Sequence, residues 1–131
     1  MSDEQQSSEN KKTKVLVVED DVFMADLMMQ ELSNAGFEPV VARTGKEGFE
    51  KFVETKPDIT LMDLLLPDQK GFDVVRQIRR QPNGVKAKII ILSNLSDETD
   101  TEEGKRLAVV DYLVKANTSL PEIVEHIKKA L

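Results

Sequence analysis

Charged and hydroxyl side chains stand directly after four of the five short apolar runs in this chain. They are Glu19 and Asp20 after the first run, Asp63 after the third, Ser93 after the fourth and Lys115 after the fifth. If the ends of these runs meet, three carboxylates lie close together and cannot all stay ionised without compensation. A hard divalent cation such as Mg²⁺ provides that compensation, because it binds one or two carboxylates together with water and phosphate oxygens.

The same side chains could hold a phosphoryl group. The ammonium of Lys115 and the hydroxyl of Ser93 can each bind one phosphate oxygen, while the cation binds another. A carboxylate such as that of Asp63 is an established phosphoryl acceptor. The set therefore predicts Mg²⁺-dependent phosphorylation of Asp63, provided that the fold brings these residues to one place.

Alternating short apolar runs and longer helical patterns supply that fold. The predicted strands are Val15–Val18, Glu38–Ala42, Ile59–Met62, Ile89–Leu92 and Val110–Val114. Amphipathic spacing predicts a helix after each strand. We therefore expect an α/β fold, a doubly wound (βα)5 parallel sheet of five strands in the flavodoxin-like order 2-1-3-4-5. In such sheets ligands bind at the carboxyl ends of the strands, where the strand order reverses.

Local signals predict where several helices begin and end. Thr44–Glu47 and Ser119–Glu122 have the form of capping boxes, which start helices, and Gly36 stands where a helix would end. The segment 97–107 has few apolar residues and predicts a short, loosely held fourth helix. Apolar positions expected to face the sheet include Phe52 and Val53 in the second helix, and Ile127 and Leu131 in the last.

Length and composition limit the class of protein. The chain has 131 residues, 40% hydrophobic and 32% charged, which suits one globular domain. Residues 1–13 are polar almost throughout, so we expect a disordered tail before a domain that covers 14–131. The formal net charge of −6 argues against electrostatic binding to nucleic acid or anionic lipid.

Several other classes are disfavoured. The chain has no cysteine, which excludes disulfides and thiolate metal sites, and its single histidine leaves little room for His-based catalysis. No apolar run approaches the length of a membrane span, and the polar N-terminus does not have the pattern of a signal peptide. We expect a cytoplasmic protein with no membrane partner.

The constellation of Glu19-Asp20, Asp63, Ser93 and Lys115 resembles that of the receiver domains of response regulators in two-component signalling. The segment Met62–Pro67 matches the acceptor segment of that family. Gly71 falls where its loop glycine does, and the separation of Ser93 from Lys115 also fits. The resemblance covers about 14–131, nearly the whole chain.

The resemblance implies a role for each of these residues. The roles are phosphoacceptor for Asp63, acidic Mg²⁺ site for Glu19, Asp20 and Asp63, backbone carbonyl ligand for Leu65, switch hydroxyl for Ser93, aromatic switch for Tyr112, and phosphate-binding lysine for Lys115. The implied function is that of a switch rather than an enzyme. A histidine kinase or phosphotransfer protein would phosphorylate Asp63, and the surface of helix 4, strand 5 and helix 5 would then bind a downstream protein target.

Two departures from the family pattern lead to expectations of their own. Leu65 and Leu95 replace side chains that flank the path of the hydrolytic water, and apolar groups cannot orient water, so we expect slow autodephosphorylation. Ala116 follows Lys115 where the family usually has proline with a cis bond. Because a cis bond before a non-proline residue costs about 2.5–4 kcal/mol, we predict a trans Lys115–Ala116 bond.

Alternatives remain open at this stage. A receiver-like interaction domain that ignores phosphate would fit the fold but not the intact acidic cluster. A haloacid-dehalogenase-type phosphatase would need a second aspartate two residues after Asp63, where this chain has Leu65. The expected oligomeric state is a monomer or weak dimer. Asp111 is similar to a residue of receivers that dimerise. The arginine that their last helix carries is absent here, where His126 and Lys128 stand instead.

Overall fold

The computed structural model describes residues 11–94 and 98–131. Within them, five strands, β1 (Lys14–Val18), β2 (Glu38–Ala42), β3 (Ile59–Met62), β4 (Ile89–Ser93) and β5 (Asp111–Val114), alternate with five helices, α1 (Val22–Asn34), α2 (Gly45–Thr55), α3 (Gly71–Arg79), α4 (Glu98–Arg106) and α5 (Leu120–Ala130). The predicted disordered tail lies outside the described residues as far as residue 10. In the described part of the chain, no helix is long and apolar enough to cross a membrane.

All neighbouring strands pair in parallel, in the order β2-β1-β3-β4-β5. This confirms the predicted sheet and its strand order. Val18 of β1 pairs with Ala42 of β2 and with Met62 of β3. The first three strands therefore reach the same edge of the sheet at the same level.

The sheet separates two apolar layers. On one side, β1 and β3 pack through Val15, Val17 and Leu61 against α1 and α5. On the other side, Leu16 and Met62 pack against α2 and α3. Alternate residues of each strand face opposite layers, as the side-chain period of two requires.

Two predicted core positions are wrong. Val53 of α2 is 44% exposed and Leu131 is 46% exposed. Both lie at the margin of a correctly predicted apolar stripe, beyond the reach of the sheet. Phe52 and Ile127, from the centres of the same stripes, are buried as predicted.

The predicted helix boundaries are mostly confirmed. Ser119 and Glu122 form a full capping box at the start of α5. At the start of α2 the Thr44 hydroxyl accepts a hydrogen bond from the N–H of Glu47, but the Glu47 carboxylate accepts from Arg43 rather than from Thr44. That box is therefore only half formed.

Helix α1 ends at Asn34, with the predicted glycine just beyond its C-cap. The N–H of Phe37 donates to the carbonyl of Leu32 at 3.0 Å, and that of Gly36 to Ser33 at 3.1 Å. These two bonds define the Schellman motif, which places its central residue in the left-handed region. Gly36 has a φ of +92°, a conformation that glycine adopts without the penalty paid by other residues.

Candidate functional site

Backbone pairing continues beyond β1 and β3 into the residues that carry carboxylates. The N–H of Glu19 donates to the carbonyl of Ala42 at 2.9 Å, and the N–H of Asp63 donates to the carbonyl of Val18 at 3.1 Å. Each acidic residue is thus held by the strand beside it. The two side chains meet at the carboxyl edge of the sheet, next to the point where strand order reverses.

Glu19, Asp20 and Asp63 form an acidic cluster. Each contributes one carboxylate oxygen, and these oxygens all lie within 4.8 Å of one another. Glu19 and Asp63 are buried, whereas Asp20 is exposed. The structure therefore brings together the three carboxylates that the sequence placed at this edge.

Lys115 lies between the two buried carboxylates. Its Nζ is 2.6 Å from Glu19 Oε1 and 3.1 Å from Asp63 Oδ2. The contact with Asp63 is a hydrogen bond. The contact with Glu19 is an ion pair whose angles are not those of a well-formed hydrogen bond. The ammonium of Lys115 neutralises part of the negative charge of the carboxylates, for which the sequence predicts a bound cation.

Burial is the largest single influence on the pKa of both Glu19 and Lys115. It raises the pKa of Glu19, and the neighbouring ammonium only partly offsets this effect. Burial also acts to lower the pKa of Lys115, but the contacts with Glu19 and Asp63 together outweigh it and raise that pKa. Lys115 is therefore held in its charged form, while the pKa of Glu19 stays raised because its burial outweighs the neighbouring ammonium.

The donor set fits a hard divalent cation. It consists of carboxylate oxygens from three residues, which are the ligand type that Mg²⁺ prefers. One of these oxygens, Glu19 Oε1, is buried and meets the Lys115 ammonium at 2.6 Å without a well-formed hydrogen bond. A cation beside Glu19 and Asp20 would add positive charge to a cluster of three carboxylates that one ammonium does not neutralise.

The residues after Asp63 fold back towards it. The N–H of Leu65 donates to Asp63 Oδ1 at 3.3 Å, and its side chain is 59% exposed. The N–H of Gly71 donates to the carbonyl of Leu64 at 2.8 Å. A Cβ atom at Gly71 would lie 2.1 Å from the carbonyl oxygen of Asp63. Only glycine fits there. This explains physically why the chain has glycine at position 71, a residue identified from the sequence only by resemblance.

The remaining predicted site residues lie at or near the same edge. Ser93 is buried at the end of β4, two residues beyond the pair that Ile91 makes with Met62. Tyr112 of β5 is half-buried, and a Cβ atom on Gly104 of α4 would lie 3.7 Å from its ring.

The bond before Ala116 is trans as predicted, since the described residues contain no cis peptide bond. Leu95, expected to influence dephosphorylation, lies outside the described residues.

The structure also shows two polar contacts that the sequence did not predict. The Asp111 carboxylate, for which the sequence offered no arginine partner, lies 2.6 Å from Nδ1 of His126. The carboxylate of Asp68 accepts hydrogen bonds from two N–H groups at the start of α2. Neither contact has a signal in the spacing of residues, because each joins segments far apart in the chain.

Comparisons with known proteins agree with this geometry. A family model described as the response regulator receiver domain matches residues 15–128. The chain is 35% identical over 104 residues to the chemotaxis protein CheY of Thermotoga maritima, covering 78% of this chain and 84% of that protein. It is 33% identical to the probable transcriptional regulator ycf27 of Guillardia theta, with 79% of this chain and 40% of the regulator covered. The chain thus spans less than half of that regulator.

Solved structures show the same likeness. The crystal structure of the chemotaxis protein CheY4 of Vibrio cholerae matches with a TM-score of 0.87 at 25% identity, covering 92% of this chain and all of that one. A putative response regulator of Chloroflexus aurantiacus matches with a TM-score of 0.83 at 28% identity, covering 92% of this chain and 98% of that one.

Proposed function

The chain belongs to the response regulator receiver domain family of two-component systems, and we propose that it is a Mg²⁺-dependent phosphorylation switch whose acceptor is Asp63. One observation carries the proposal. The buried Asp63 carboxylate lies within hydrogen-bond distance of Lys115 and within one acidic cluster with Glu19 and Asp20. An acceptor, a cation site and a phosphate-binding ammonium are thus in reach of one another.

Glu19, Asp20, Asp63 and the backbone carbonyl of Leu65 would hold Mg²⁺. When bound, the cation would neutralise charge on the phosphoryl oxygens. An oxygen of Asp63 attacks the phosphorus of a phosphohistidine, the P–N bond breaks as the new P–O bond forms, and the leaving imidazole takes up a proton. We therefore propose a phosphorylation switch rather than an enzyme that turns over a substrate of its own.

Lys115 and Ser93 complete the proposed switch. The ammonium of Lys115, already beside Asp63 Oδ2, would bind one phosphoryl oxygen. The Ser93 hydroxyl would bind another, and Tyr112 would move inward with it. This change would alter the surface formed by α4, β5 and α5, because Tyr112 lies on β5 against Gly104 of α4.

The proposed partners follow from this cycle. A sensor histidine kinase or a phosphotransfer protein would supply the phosphoryl group, and a downstream protein would bind the altered surface. We propose that the chain acts in the cytoplasm as a monomer or weak dimer and makes no direct contact with nucleic acid. Its net charge of −6 supports the last point.

A long-lived phosphorylated state is part of the proposal. The Leu65 side chain, exposed beside the acceptor, cannot hold a hydrolytic water by hydrogen bonds, and neither can Leu95. We expect Leu65→Asn to lose phosphate from Asp63 faster than the wild type. Intact-mass measurements over time report the rate of this loss. Equal decay in both proteins would remove this part of the proposal.

Intact-mass measurement after incubation with acetyl phosphate and Mg²⁺ tests the function. We expect one added phosphoryl group on the wild type, and none on Asp63→Asn or in the presence of EDTA. Size-exclusion chromatography of both forms reports the oligomeric state. A wild-type protein that binds no Mg²⁺ and gains no mass would instead support a receiver-like domain that interacts with partners independently of phosphate.

A further inference from the structure

Asp68 joins the segment after the acceptor to the start of α2. Its Oδ1 accepts a hydrogen bond from the N–H of Gly45 at 2.7 Å, and its Oδ2 accepts one from the N–H of Lys46 at 2.9 Å. These N–H groups belong to the first turn of α2 and have no partner within the helix. A carboxylate also interacts favourably with the positive end of a helix dipole. The two N–H donors lower the pKa of Asp68, so it is ionised near neutral pH.

Residues 64–70, here called the acceptor loop, form a closed structure between β3 and α3. The N–H of Gly71 and the carbonyl of Leu64 close its base, and Leu65 forms an antiparallel bridge with Lys70. The side chain of Gln69 accepts a hydrogen bond from Gln77 of α3 at 2.7 Å. The loop is therefore stiff within itself, so its position depends on where it is attached.

Burial attaches only one side of the acceptor loop. Leu64 is buried, and Leu66 is half-buried. Leu65, Pro67 and Asp68 are exposed. Apolar packing therefore holds that side only weakly, through the half-buried side chain of Gln69 beside Gly45. The hydrogen bonds of Asp68 to α2 are charge-assisted and therefore stronger than neutral ones, and they hold the exposed side.

We propose that Asp68 is a positioning residue for phosphoryl transfer at Asp63, because it anchors the acceptor loop, and with it the Leu65 carbonyl, against α2. This inference rests on the proposed function. Asp68 does not belong to the acidic cluster of Glu19, Asp20 and Asp63 that would hold the cation. It acts through the loop, whose Leu65 N–H also contacts Asp63 Oδ1. A small displacement of the loop would move one ligand of the cation and a hydrogen-bond donor to the acceptor together.

Thr44 offers a matched control. Its hydroxyl caps the same end of α2 by accepting from the N–H of Glu47 at 3.0 Å, but it makes no hydrogen bond to the acceptor loop. Thr44→Ala and Asp68→Ala therefore each remove an acceptor from one helix terminus. Only Asp68→Ala also removes the hydrogen bonds between the loop and α2, so the comparison separates positioning from helix stability.

The test measures three quantities on wild type, Asp68→Ala, Asp68→Asn and Thr44→Ala. They are the Mg²⁺ dissociation constant by calorimetry, the rate of phosphorylation by acetyl phosphate, and hydrogen exchange of the Gly71 amide without metal. In Asp68→Ala we expect Mg²⁺ affinity to fall roughly tenfold, as for other groups that orient metal ligands, with slower phosphorylation and faster Gly71 exchange. Asp68→Asn keeps one acceptor oxygen and should recover part of the loss.

We expect Thr44→Ala to lower the melting temperature while leaving Mg²⁺ affinity and Gly71 exchange close to wild type. Equal Mg²⁺ affinities in Asp68→Ala and Thr44→Ala would overturn the positioning role, and so would an unchanged Gly71 exchange rate. A wild type that neither binds Mg²⁺ nor gains phosphate would refute the proposed function itself, and with it this role. The two failures are distinct, since one appears only in the variant and the other already in the wild type.

Discussion

Helices α1 and α4 both run alongside the sheet, yet they are attached to it by different forces. Three side chains of α1, those of Ala25, Met28 and Leu32, are buried. Helix α4 has no apolar side chain within Glu98–Arg106, and none of its described residues belongs to either apolar layer. Helix α1 is held by burial of its own apolar side chains, whereas α4 is attached through polar contacts and through Leu107 and Val109, which follow it and pack against the second apolar layer.

Two arginines of α3 provide the polar contacts. Arg76 forms an ion pair with Glu103 in the middle of α4. Arg79 donates to the carbonyls of Leu107 at 3.0 Å and Ala108 at 3.2 Å, just after the helix ends. Apolar burial changes little with salt concentration or pH. Exposed ion pairs, in contrast, weaken as the salt concentration rises and are lost when the carboxylate is protonated at low pH. The attachment of α4 is thus the more easily altered, as the proposed switch surface requires.

The two helices also end in the same motif with different residues. After α4, the N–H of Val109 donates to the carbonyl of Gly104, and that of Ala108 to Lys105, both at 3.0 Å. These bonds repeat the Schellman motif seen at Gly36. Here the left-handed residue is Ala108, with a φ of +57°, so the end of α4 carries a conformational strain that the end of α1 lacks.

The largest loss of stability is expected when the apolar attachment of α1 is disrupted. Leu32 is 1% exposed, and Leu32→Ala should lower the free energy of unfolding by about 3 kcal/mol, since it removes apolar contacts and leaves a cavity. Urea denaturation measures this. Met29→Ala, at a partly exposed position of the same helix, is the control and should cost much less. Similar losses in both would mean that burial does not hold α1.

Arg79→Lys tests the polar attachment of α4. The guanidinium also donates to the carbonyls of Gly84 and Ala87, and lysine cannot reach all of these acceptors at once. We expect the free energy of unfolding to fall by about 2 kcal/mol, with hydrogen exchange rising in α4 before α1. Arg80→Lys is the matched control, because that exposed neighbour should change stability by less than about 0.5 kcal/mol.

Exchanging the residues of the two helix ends tests the strain directly. Ala108→Gly should stabilise the protein by up to about 1 kcal/mol, and Gly36→Ala should destabilise it by about 1 kcal/mol. A Cβ atom at Gly36 has no neighbour within 4 Å, so the loss there reports backbone conformation alone. Thermal or urea unfolding measures both, and two changes of the same sign would contradict the idea.

The smallest change in stability is expected for Glu103→Gln, which removes the charge that pairs with Arg76. Arg76 first, and then Arg106, lower the pKa of the Glu103 carboxyl. A carboxyl with a lowered pKa in the folded state adds stability above its unfolded pKa of about 4.3, and loses it as pH falls through the folded pKa. The melting temperature of Glu103→Gln should therefore be lower than that of the wild type at pH 7.

The difference between Glu103→Gln and wild type should disappear in strong acid and shrink in high salt. Glu102→Gln makes the same change of charge at an exposed position one residue away and should leave the melting temperature nearly unchanged. If both variants behave alike at every pH, the Arg76 pairing contributes nothing to stability.

Periodicity made the sheet and the acidic cluster predictable. Short apolar runs such as Ile59–Met62, which alternate with longer helical patterns, are typical of strands buried on both faces, and Asp63 follows where that strand ends. Parallel pairing then brings strand ends to one edge, so Glu19 and Asp63 could be placed together from the sequence alone.

Contacts of exposed polar side chains could not be predicted in this way. The bond from Asp68 to α2 and those from Arg79 to the turn after α4 depend on the final separation of segments, not on any repeat. The same reason explains why His126 was not matched to Asp111. The exposed Val53 and Leu131 show a related limit, since a stripe along one helix does not reveal how far its neighbours extend.

The strand order β2-β1-β3-β4-β5 also has a consequence during synthesis. The three strands made first are adjacent in the sheet, so they can pair while the rest of the chain is still on the ribosome. Glu19 and Asp63 would then come together before Lys115 has been made. The nascent sheet would carry two carboxylates without their ammonium, until translation of the residue after β5 supplies Lys115 and completes the charge balance of the cluster.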